Sequence, residues 1–204
     1  MQLIGMLDSP YVRRVAISLR LLGLDFEHRP LSVFRDFDAF RGINPVVKAP
    51  TLVCDEGEVL MDSTLILAYA EARARPRSLM PTDVCELRRA LRVIGLALAV
   101  SEKAVQVVYE HRLRPAEKAH APWLERVGGQ LLAGLSALED ALEHGPLAAD
   151  GATIDQAGIT AAVAWRFAVH EVPDRVVAER FPRLAAYAAA AESLPEFRAF
   201  PYPE

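Results

Sequence analysis

The chain has 204 residues, of which 52 % are hydrophobic and 25 % are charged, so it can bury a substantial core and is not expected to be disordered. Its net charge of −4, without a long basic run, argues against a nucleic-acid-binding protein. Charged residues interrupt every long apolar run, so no membrane span is expected, and the N-terminus lacks the pattern of a signal peptide. The two cysteines, Cys54 and Cys85, form no CxxC pair and have no histidine cluster nearby. This usage predicts a soluble cytoplasmic protein without a metal site.

The first part of the chain predicts a short strand that leads into a helix. The apolar run of residues 3–7 breaks at Ser9 and Pro10, and apolar residues then recur at steps of three or four up to Gly23. Pro10 suits the first helical turn, where its missing N–H is no loss, which places Ser9 at or beside the N-cap. A helix N-terminus favours an anion, and a thiolate qualifies. The alternative is that Ser9 only caps the helix.

The next residues predict three more strands and two more helices. Pro30 cannot donate to a ladder, which assigns the strand that contains it to a sheet edge. Glu56-Gly57 between two short apolar runs is a hairpin signal. The predicted elements are a strand near 26–31, a short helix around 36–41, a hairpin of strands at 51–54 and 59–61, and a helix that begins at Asp62-Ser63. The resulting order, βαβαββα with its first two strands parallel, is the thioredoxin-like arrangement of an α/β domain.

The remainder of the chain predicts only helices. Residues 76–82 contain two prolines and are interpreted as a linker between a first domain at 1–75 and an all-helical domain at 83–204. Thr153 and Gln156 have the spacing of a capping box, with Gln156 at N3. The predicted helices are a long one at 83–112, one from Pro122 to Gly145, one that follows the capping box, and a last one after Pro182.

Three motifs, in register with these predicted elements, make the chain resemble the cytosolic glutathione transferases of the serine type. They are Ser9-Pro10-Tyr11, the segment NPVVKAP at 44–50, and Asp62-Ser63. The resemblance covers essentially the whole chain and is to bacterial members in particular. It implies a thioredoxin-like N-terminal domain, a helical C-terminal domain, glutathione as co-substrate without a metal, and a homodimer with two-fold symmetry.

The resemblance implies that Ser9 donates a hydrogen bond to the glutathione sulfur and is not a nucleophile. A free thiol has a pKa of about 8.5, so little of it is ionised at neutral pH. Lowering that pKa by two units requires about 2.7 kcal/mol. One charge-assisted hydrogen bond contributes roughly 1.5–3 kcal/mol. The Ser9 hydroxyl, aided by the helix N-terminus, is therefore sufficient for this role.

The resemblance also implies where the rest of glutathione binds. Ala49, before a cis Pro50, would pair its backbone with the cysteinyl part, as in strand addition. Lys48 would meet the glycine carboxylate, Ser63 the γ-glutamyl carboxylate, and Asp62 the ammonium group. The alternatives are a trans Pro50 that opens an edge strand, a solvated Lys48, and ordinary helix capping by Asp62 and Ser63.

The second substrate is predicted to be a small apolar electrophile that lies between the Ser9 corner and the helical domain. Candidate walls are Tyr11, Tyr109, Trp165 and Phe167, although aromatic residues in apolar helices are more often core residues. The chain departs from the family pattern at Val47, where Gly is frequent, and at Gln156, where Asp is usual. Position 9 is not Cys, which argues against the omega- and beta-like branches, and no S-S-C-S motif marks a maleylacetoacetate isomerase.

The predicted activity is conjugation of the glutathione thiolate to that electrophile. A glutathione-dependent disulfide reductase or peroxidase on the same fold, and a non-enzymatic binding protein, remain as alternatives. A homodimer is further indicated by apolar residues on more than one face of two helices, although packing within one chain is the alternative. The residues concerned are Ile66, Tyr69, Val93 and Leu96, and the arginines predicted to pair across the axis are Arg73, Arg75, Arg88, Arg89 and Arg92.

Overall fold

Four short strands form one mixed sheet in the N-terminal part of the chain. The structure is a computed structural model that describes residues 1–203. The strands are β1 (Gln2–Ile4), β2 (Glu27–Arg29), β3 (Thr51–Val53) and β4 (Val59–Met61), in the spatial order β2-β1-β3-β4. β1 pairs with β2 in parallel and with β3 antiparallel, and β3 and β4 form the predicted hairpin. β2 is an edge strand and ends at Arg29, immediately before Pro30, as the missing proline N–H requires.

Eight α-helices accompany this sheet within residues 1–203. They are α1 (Pro10–Leu21), α2 (Phe37–Ile43), α3 (Ser63–Arg73), α4 (Val84–Arg112), α5 (Ala121–His144), α6 (Gln156–Glu171), α7 (Pro182–Glu192) and α8 (Pro195–Arg198). The order β1-α1-β2-α2-β3-β4-α3 confirms the predicted thioredoxin-like arrangement, and the all-helical region after it is confirmed as well. The short helix α8 was not predicted from the sequence. No helix in residues 1–203 has the length and apolarity that a membrane crossing needs.

α1 begins and ends where its local sequence predicts. Ser9 is the N-cap and Pro10 occupies the first helical position. At the other end Gly23 has φ +72°, its N–H bonds to Arg20, and the N–H of Leu24 bonds to Leu19, which together form a Schellman motif. Every residue of the range 12–19 is buried, so α1 is surrounded on all sides.

The chain divides into two compact units, and the C-terminal segment belongs to the first one. Unit 1 combines residues 1–79 with the segment from Leu194 onwards, and unit 2 is Met80–Ser193. The Arg13 Nε donates to the carbonyl of Phe200 at 2.8 Å, and its guanidinium lies 5.7 Å from the centroid of the Phe197 ring. Phe200 also stacks on Phe26, with ring centroids 5.5 Å apart. Residues from 194 onwards, expected from the sequence to belong to the domain at 83–204, thus pack against α1 instead.

Unit 2 is a bundle in which α4 packs against α5 and α6, and α7 packs against α6. Gly134 lies where α5 approaches α4, since a Cβ there would be 2.9 Å from the Val100 side chain. The buried carboxylate of Glu139 on α5 accepts from the backbone N–H groups of Arg183 and Leu184, both at 2.9 Å. One helix of the bundle thereby caps the N-terminus of another.

The capping box predicted at Thr153 is wrong. The N-cap of α6 is Asp155, whose carboxylate accepts from the Gly158 N–H at 2.8 Å, so Gln156 is the first helical residue rather than N3. The Thr153 hydroxyl bonds to the Asp150 carboxylate instead. The family pattern has an aspartate as the cap of this helix, and this chain has one too. It is Asp155, one residue before Gln156, where the family's aspartate was expected.

Candidate active site

The turn between β1 and α1 places the Ser9 hydroxyl at a helix N-terminus. Gly5 has φ +140°, and a Cβ there would be 2.6 Å from Val12 and 3.1 Å from the Cβ of Ala49. Only glycine therefore suits the turn. The Gly5 carbonyl accepts a hydrogen bond of 2.8 Å from the Nε2 of His28, which holds the turn against β2.

The Ser9 hydroxyl accepts a hydrogen bond in the helix cap, and its own O–H is not used as a donor there. Its Oγ accepts from the Val12 N–H at 3.4 Å, a long capping bond. Within residues 1–203 this hydroxyl has no acceptor for its own O–H. The prediction that Ser9 is the cap is confirmed, and the geometry leaves the O–H able to donate to a ligand at the same helix end.

A buried asparagine organises the segment that leads into β3. Asn44 donates to the Thr51 hydroxyl at 2.8 Å and accepts from the Val46 N–H at 3.0 Å. Thr51 in turn donates to the Lys48 carbonyl at 2.7 Å. These bonds determine the path of the backbone on both sides of Ala49. The sequence motif at 44–50 includes Asn44, but it predicted no role for Asn44 or Thr51.

Ala49 presents an unpaired peptide group next to β3. The Ala49–Pro50 bond is cis, so the alternative of a trans Pro50 is wrong. Within residues 1–203, neither the N–H nor the C=O of Ala49 takes part in a hydrogen bond. Backbone donors and acceptors are strong hydrogen-bonding groups that are normally paired when they are covered. Ala49 therefore has the free donor and acceptor that an extended peptide needs.

The N-terminus of α3 completes the group of residues. Asp62 is its N-cap and accepts from the Thr64 N–H at 2.9 Å, and Ser63, which is buried, is its first residue. The Lys48 Nζ lies 3.8 Å from an Asp62 carboxylate oxygen, and both side chains are about half exposed. Such a surface pair contributes little, so ligand charges can replace it. The structure thus places Lys48, Asp62 and Ser63 at the same helix end in unit 1.

Arg14 is a functional candidate that the sequence motifs did not single out. Its side chain is buried on α1, and its Nη1 lies 3.1 Å from the Ser63 Oγ and 3.4 Å from the Thr64 Oγ1. Burial lowers the pKa of Arg14 to about 10, while the nearby Asp62 charge opposes that change. Arg13 and Arg14 stand among the apolar positions of α1, and this pattern is a signal that their charges are enclosed. The sequence did not indicate which element each one contacts.

The predicted second-substrate residues differ in exposure. Trp165 is 5 % exposed and packs edge-on against Phe181, with centroids 5.9 Å apart, and Phe167 is 6 % exposed. Both side chains thus contribute to the core of unit 2 and offer little surface to a ligand. Tyr109, by contrast, is 45 % exposed on α4, and Tyr11 is half-buried two residues after Ser9.

No group of three or more potential metal ligands occurs within residues 1–203. The His170 Nδ1 lies 3.5 Å from the Glu171 carboxylate. The site in unit 1 offers hydroxyl groups, an unpaired peptide group and a pair of opposite charges.

Comparisons with known proteins agree with this arrangement. A family model described as the N-terminal domain of glutathione S-transferase matches residues 3–78. The uncharacterized GST-like protein YibF of Escherichia coli is 30 % identical over 165 residues, which cover 81 % of this chain and 81 % of that protein. The maleylacetoacetate isomerase of Pseudomonas aeruginosa is 39 % identical over 92 residues, or 43 % of this chain and 42 % of that protein.

A solved structure extends the similarity to the whole chain. A glutathione transferase family member from Pseudomonas fluorescens, with bound glutathione, has 29 % identity and a TM-score of 0.84, over 100 % of this chain and 99 % of its own. Sheet order, helical region and sequence together define a thioredoxin-like protein with an appended helical region. The chain belongs to the glutathione S-transferase family.

Proposed function

We propose that unit 1 binds glutathione and that the protein transfers the glutathione thiolate to a small apolar electrophile. The observation that carries this proposal is the unpaired peptide group of Ala49. Ala49 packs against Gly5 in the turn that leads to α1, and it follows Lys48, whose Nζ lies 3.8 Å from Asp62 at the N-terminus of α3. Glutathione combines a thiol, a peptide backbone, two carboxylates and an ammonium group. The side chains and backbone groups of unit 1 match each of these in kind.

Ser9 is proposed as the catalytic residue because its O–H is available at the N-terminus of α1. A hydrogen bond from this hydroxyl to the sulfur favours the thiolate, which is the reactive nucleophile. The positive end of the helix dipole acts in the same direction. Such an interaction grows as the sulfur becomes charged, so it promotes the reaction more than it promotes binding.

The remaining contacts are proposed to hold glutathione in place. The Ala49 N–H and C=O pair with the cysteinyl part in the manner of an added strand. Ser63 and the free N–H groups of α3 bind the γ-glutamyl carboxylate, while Asp62 binds the ammonium. Lys48 pairs with the glycine carboxylate, which requires only that the long pair with Asp62 opens.

The electrophile is proposed to contact Tyr11, which is half-buried in unit 1 and follows Ser9 by two residues. Tyr109 and Trp165 stay predictions from the sequence, and the burial of Trp165 argues against its contact with a ligand. Aromatic side chains bury large areas of apolar surface, which suits an apolar partner for the thiolate.

A second candidate reaction is isomerisation of a maleyl-type double bond by reversible addition of the thiolate. The similarity to the maleylacetoacetate isomerase of Pseudomonas aeruginosa favours it. The residues at the start of α1, Asp8-Ser9-Pro10, lack the S-S-C-S motif that marks that branch. Reduction of disulfides or peroxides, and glutathione binding without catalysis, are further functions to test on the same fold. Parallel assays with an aryl halide, a maleyl acid, a mixed disulfide and a hydroperoxide distinguish all four.

The test of the proposal has two parts. Calorimetric titration with glutathione is expected to show binding at millimolar ligand or below, and absence of binding would refute the proposal. In Ser9→Ala the pKa of bound glutathione is expected to rise by roughly two units, with a larger loss in kcat than in affinity. The thiolate absorbance in the ultraviolet is titrated against pH in both proteins, with Ser9→Thr as the control that keeps a hydroxyl. Identical curves for wild type and Ser9→Ala would reduce Ser9 to a cap.

We further propose that the chain forms a two-fold homodimer. Ile66 and Val93, cited above as residues on a second face, are buried within one chain and give no support. The support comes instead from Leu65, Val84 and Leu91, which are large apolar residues exposed on α3 and α4. An obligate pair would bury on the order of 2,000 Å² or more. Light scattering at micromolar concentration tests it, and a mass of one chain that does not change on concentrating would refute it.

The predicted cytoplasmic location is also kept as a proposal. Cys54 and Cys85 are both free thiols, one buried and one exposed. Unpaired cysteines are typical of a reducing compartment. Fractionation of the native host, followed by immunodetection, tests this directly.

A further inference from the structure

Two consecutive arginines on α1 are buried, and they face different partners. Arg13 contacts the C-terminal segment through the Phe200 carbonyl and the Phe197 ring. Arg14 is directed at the first turn of α3, where it reaches the hydroxyls of Ser63 and Thr64. Buried charges are rare unless they are paired, so the partners of each arginine have to explain why it is buried.

The bonds of Arg14 determine which way the hydroxyl groups of α3 can act. A guanidinium has only donors, so the Ser63 Oγ must accept from Arg14. The hydrogen of that hydroxyl is therefore directed elsewhere and can be donated. The Thr64 Oγ1 also accepts from Arg14, at the longer distance of 3.4 Å, so its hydrogen can be donated as well. A hydroxyl that accepts from a cation becomes a better donor to an anion, because bonds in such a chain polarise one another.

The pairing of Arg14 within residues 1–203 is incomplete. Its Nε has no hydrogen-bond partner, although the side chain is 2 % exposed. The opposite charge that acts on Arg14 is that of Asp62, but this carboxylate also caps α3 through the Thr64 N–H and lies 3.8 Å from Lys48. A shared and half-exposed carboxylate compensates a buried cation only in part. An anion at the N-terminus of α3 would add to that compensation.

We propose that Arg14 is a positioning residue for an α-amino acid carboxylate at the N-terminus of α3, which it orients through the hydroxyl of Ser63. The inference rests on the proposed binding of glutathione, and the carboxylate concerned is that of the γ-glutamyl residue. Ser63 contacts the ligand and Arg14 does not. Arg14 keeps the Ser63 hydroxyl turned towards the anion and supplies the positive charge behind it.

The experiment compares two ligands that differ only in this carboxylate. The probes are glutathione and γ-aminobutyryl-cysteinylglycine, which lacks the α-carboxylate of the γ-glutamyl residue and keeps the amine. Calorimetry measures both affinities in the wild type, Arg14→Met and Arg14→Lys. The preference of the wild type for glutathione is expected to fall about 10-fold in Arg14→Met, the size of one hydrogen bond to a charged group. In Arg14→Lys the fall is expected to be smaller, since the charge stays while the planar fork of donors is lost.

Arg13→Met is the matched control, because it removes a neighbouring buried guanidinium that is directed at the C-terminal segment rather than at α3. It is expected to lower stability while leaving the ligand preference unchanged. A purely structural Arg14 would weaken both ligands equally and keep their ratio, which would overturn the inference. If Arg14→Met does not fold, the same ratio in Arg14→Lys decides, and an unchanged ratio there overturns the inference too.

A second measurement isolates the path through Ser63. In a Ser63→Ala background, Arg14→Lys is expected to change the ligand preference by less than about 2-fold, since the hydroxyl through which Arg14 acts is gone. Full additivity of the two substitutions would contradict that path. A wild type that binds neither ligand would refute the proposed function itself. A wild type that prefers glutathione, with variants that keep the preference, would refute only the role of Arg14.

Discussion

The N-termini of α3 and α6 are both capped by an aspartate, yet their surroundings differ. At α3 the Asp62 side chain is 46 % exposed, and Thr64 and Leu65 in the first turn are exposed as well. At α6 the whole first turn, residues 156–160, is buried. The same local device thus serves an open helix end in unit 1 and an enclosed one in unit 2. Capping alone therefore does not mark a binding site, and the groups around the cap do.

At α6 a tyrosine closes the helix end. The Tyr187 hydroxyl donates to the Ala148 carbonyl at 3.1 Å, and a Cβ on Gly158 would lie 2.1 Å from that hydroxyl oxygen. No space remains there for a ligand. At α3 the corresponding surroundings are a buried cation and two hydroxyl groups, which attract an anion. The closed end is expected to respond to mutation through stability, and the open end through binding.

Gly158→Ala is expected to give the largest effect, a loss of about 3 kcal/mol in the free energy of unfolding. The added methyl would displace Tyr187 from its hydrogen bond inside a packed region. Urea unfolding followed by circular dichroism measures the loss. The matched control is Gly129→Ala on α5, where an added Cβ would meet no other part of the protein within 4 Å, and a gain of about 0.5–1 kcal/mol is expected. Equal midpoints for the two variants would mean that the α6 end is not closed.

Ser63→Ala is expected to weaken glutathione binding about 30-fold, or about 2 kcal/mol, with a smaller loss of about 1 kcal/mol in stability because the buried Arg14 loses an acceptor. The reason is that the open end uses Ser63 for the ligand, whereas the Asp62 carboxylate keeps the helix capped. Calorimetry and a thermal scan of the same preparation measure both quantities. If Ser63→Ala lost stability but kept its affinity for glutathione, the N-terminus of α3 would behave like the closed N-terminus of α6. That result would contradict the assignment of α3 as the open, ligand-binding end.

Asp155→Asn is expected to change how stability depends on pH. Burial raises the pKa of Asp155 above its ordinary 3.8, against the hydrogen bond from Gly158. A carboxyl with a raised pKa in the folded state contributes stability that is complete below its ordinary pKa, and this contribution is lost as pH rises through the raised value. Asparagine caps equally well but does not titrate. The stability of the variant relative to wild type is therefore expected to increase from about pH 4 to pH 7.

Urea midpoints of wild type and Asp155→Asn across that range provide the measurement. All other groups titrate in both proteins, so the difference between them reports on Asp155 alone. Glutathione affinity is expected to stay unchanged, as α6 belongs to unit 2. A difference that does not vary with pH would show that the carboxyl is as hydrated in the folded chain as in the unfolded one.

Val47→Gly is expected to give the smallest effect. Within residues 1–203 only Val47 and Asp62 have a positive φ without being glycine, at +53° and +73°, and both belong to the open site of unit 1. A β-branched residue in this region is strained by about 1–2 kcal/mol, and glycine removes the strain at a cost in chain entropy of about 0.5–1 kcal/mol. A net gain of about 0.5 kcal/mol in stability is expected, measured by urea unfolding. Glutathione affinity should fall slightly because Lys48 and Ala49 become less ordered, and a loss of stability would contradict the strain.

Local patterns predicted much of unit 1 because their causes lie within a few residues. The pairing of β3 with β4 followed from apolar runs around Glu56-Gly57, and the limits of α1 from Ser9, Pro10 and Gly23. The prediction at α6 failed although it used the same kind of reasoning. Thr153 and Asp155 are both residue types that cap helices well. The Thr153 hydroxyl donates to the Asp150 carboxylate, so Asp155 is the residue that caps α6.

The sequence by itself determined the order of strands and helices, the cap of α1 and the set of residue types that a peptide thiol requires. Only the tertiary structure decided that Arg14 meets Ser63, that Phe200 returns to Arg13, and that the Ala49 peptide group stays unpaired. The physical reason is separation along the chain. Turns and caps are settled by neighbouring residues, whereas contacts across 49 and 187 positions exist only after the helices have packed around α1.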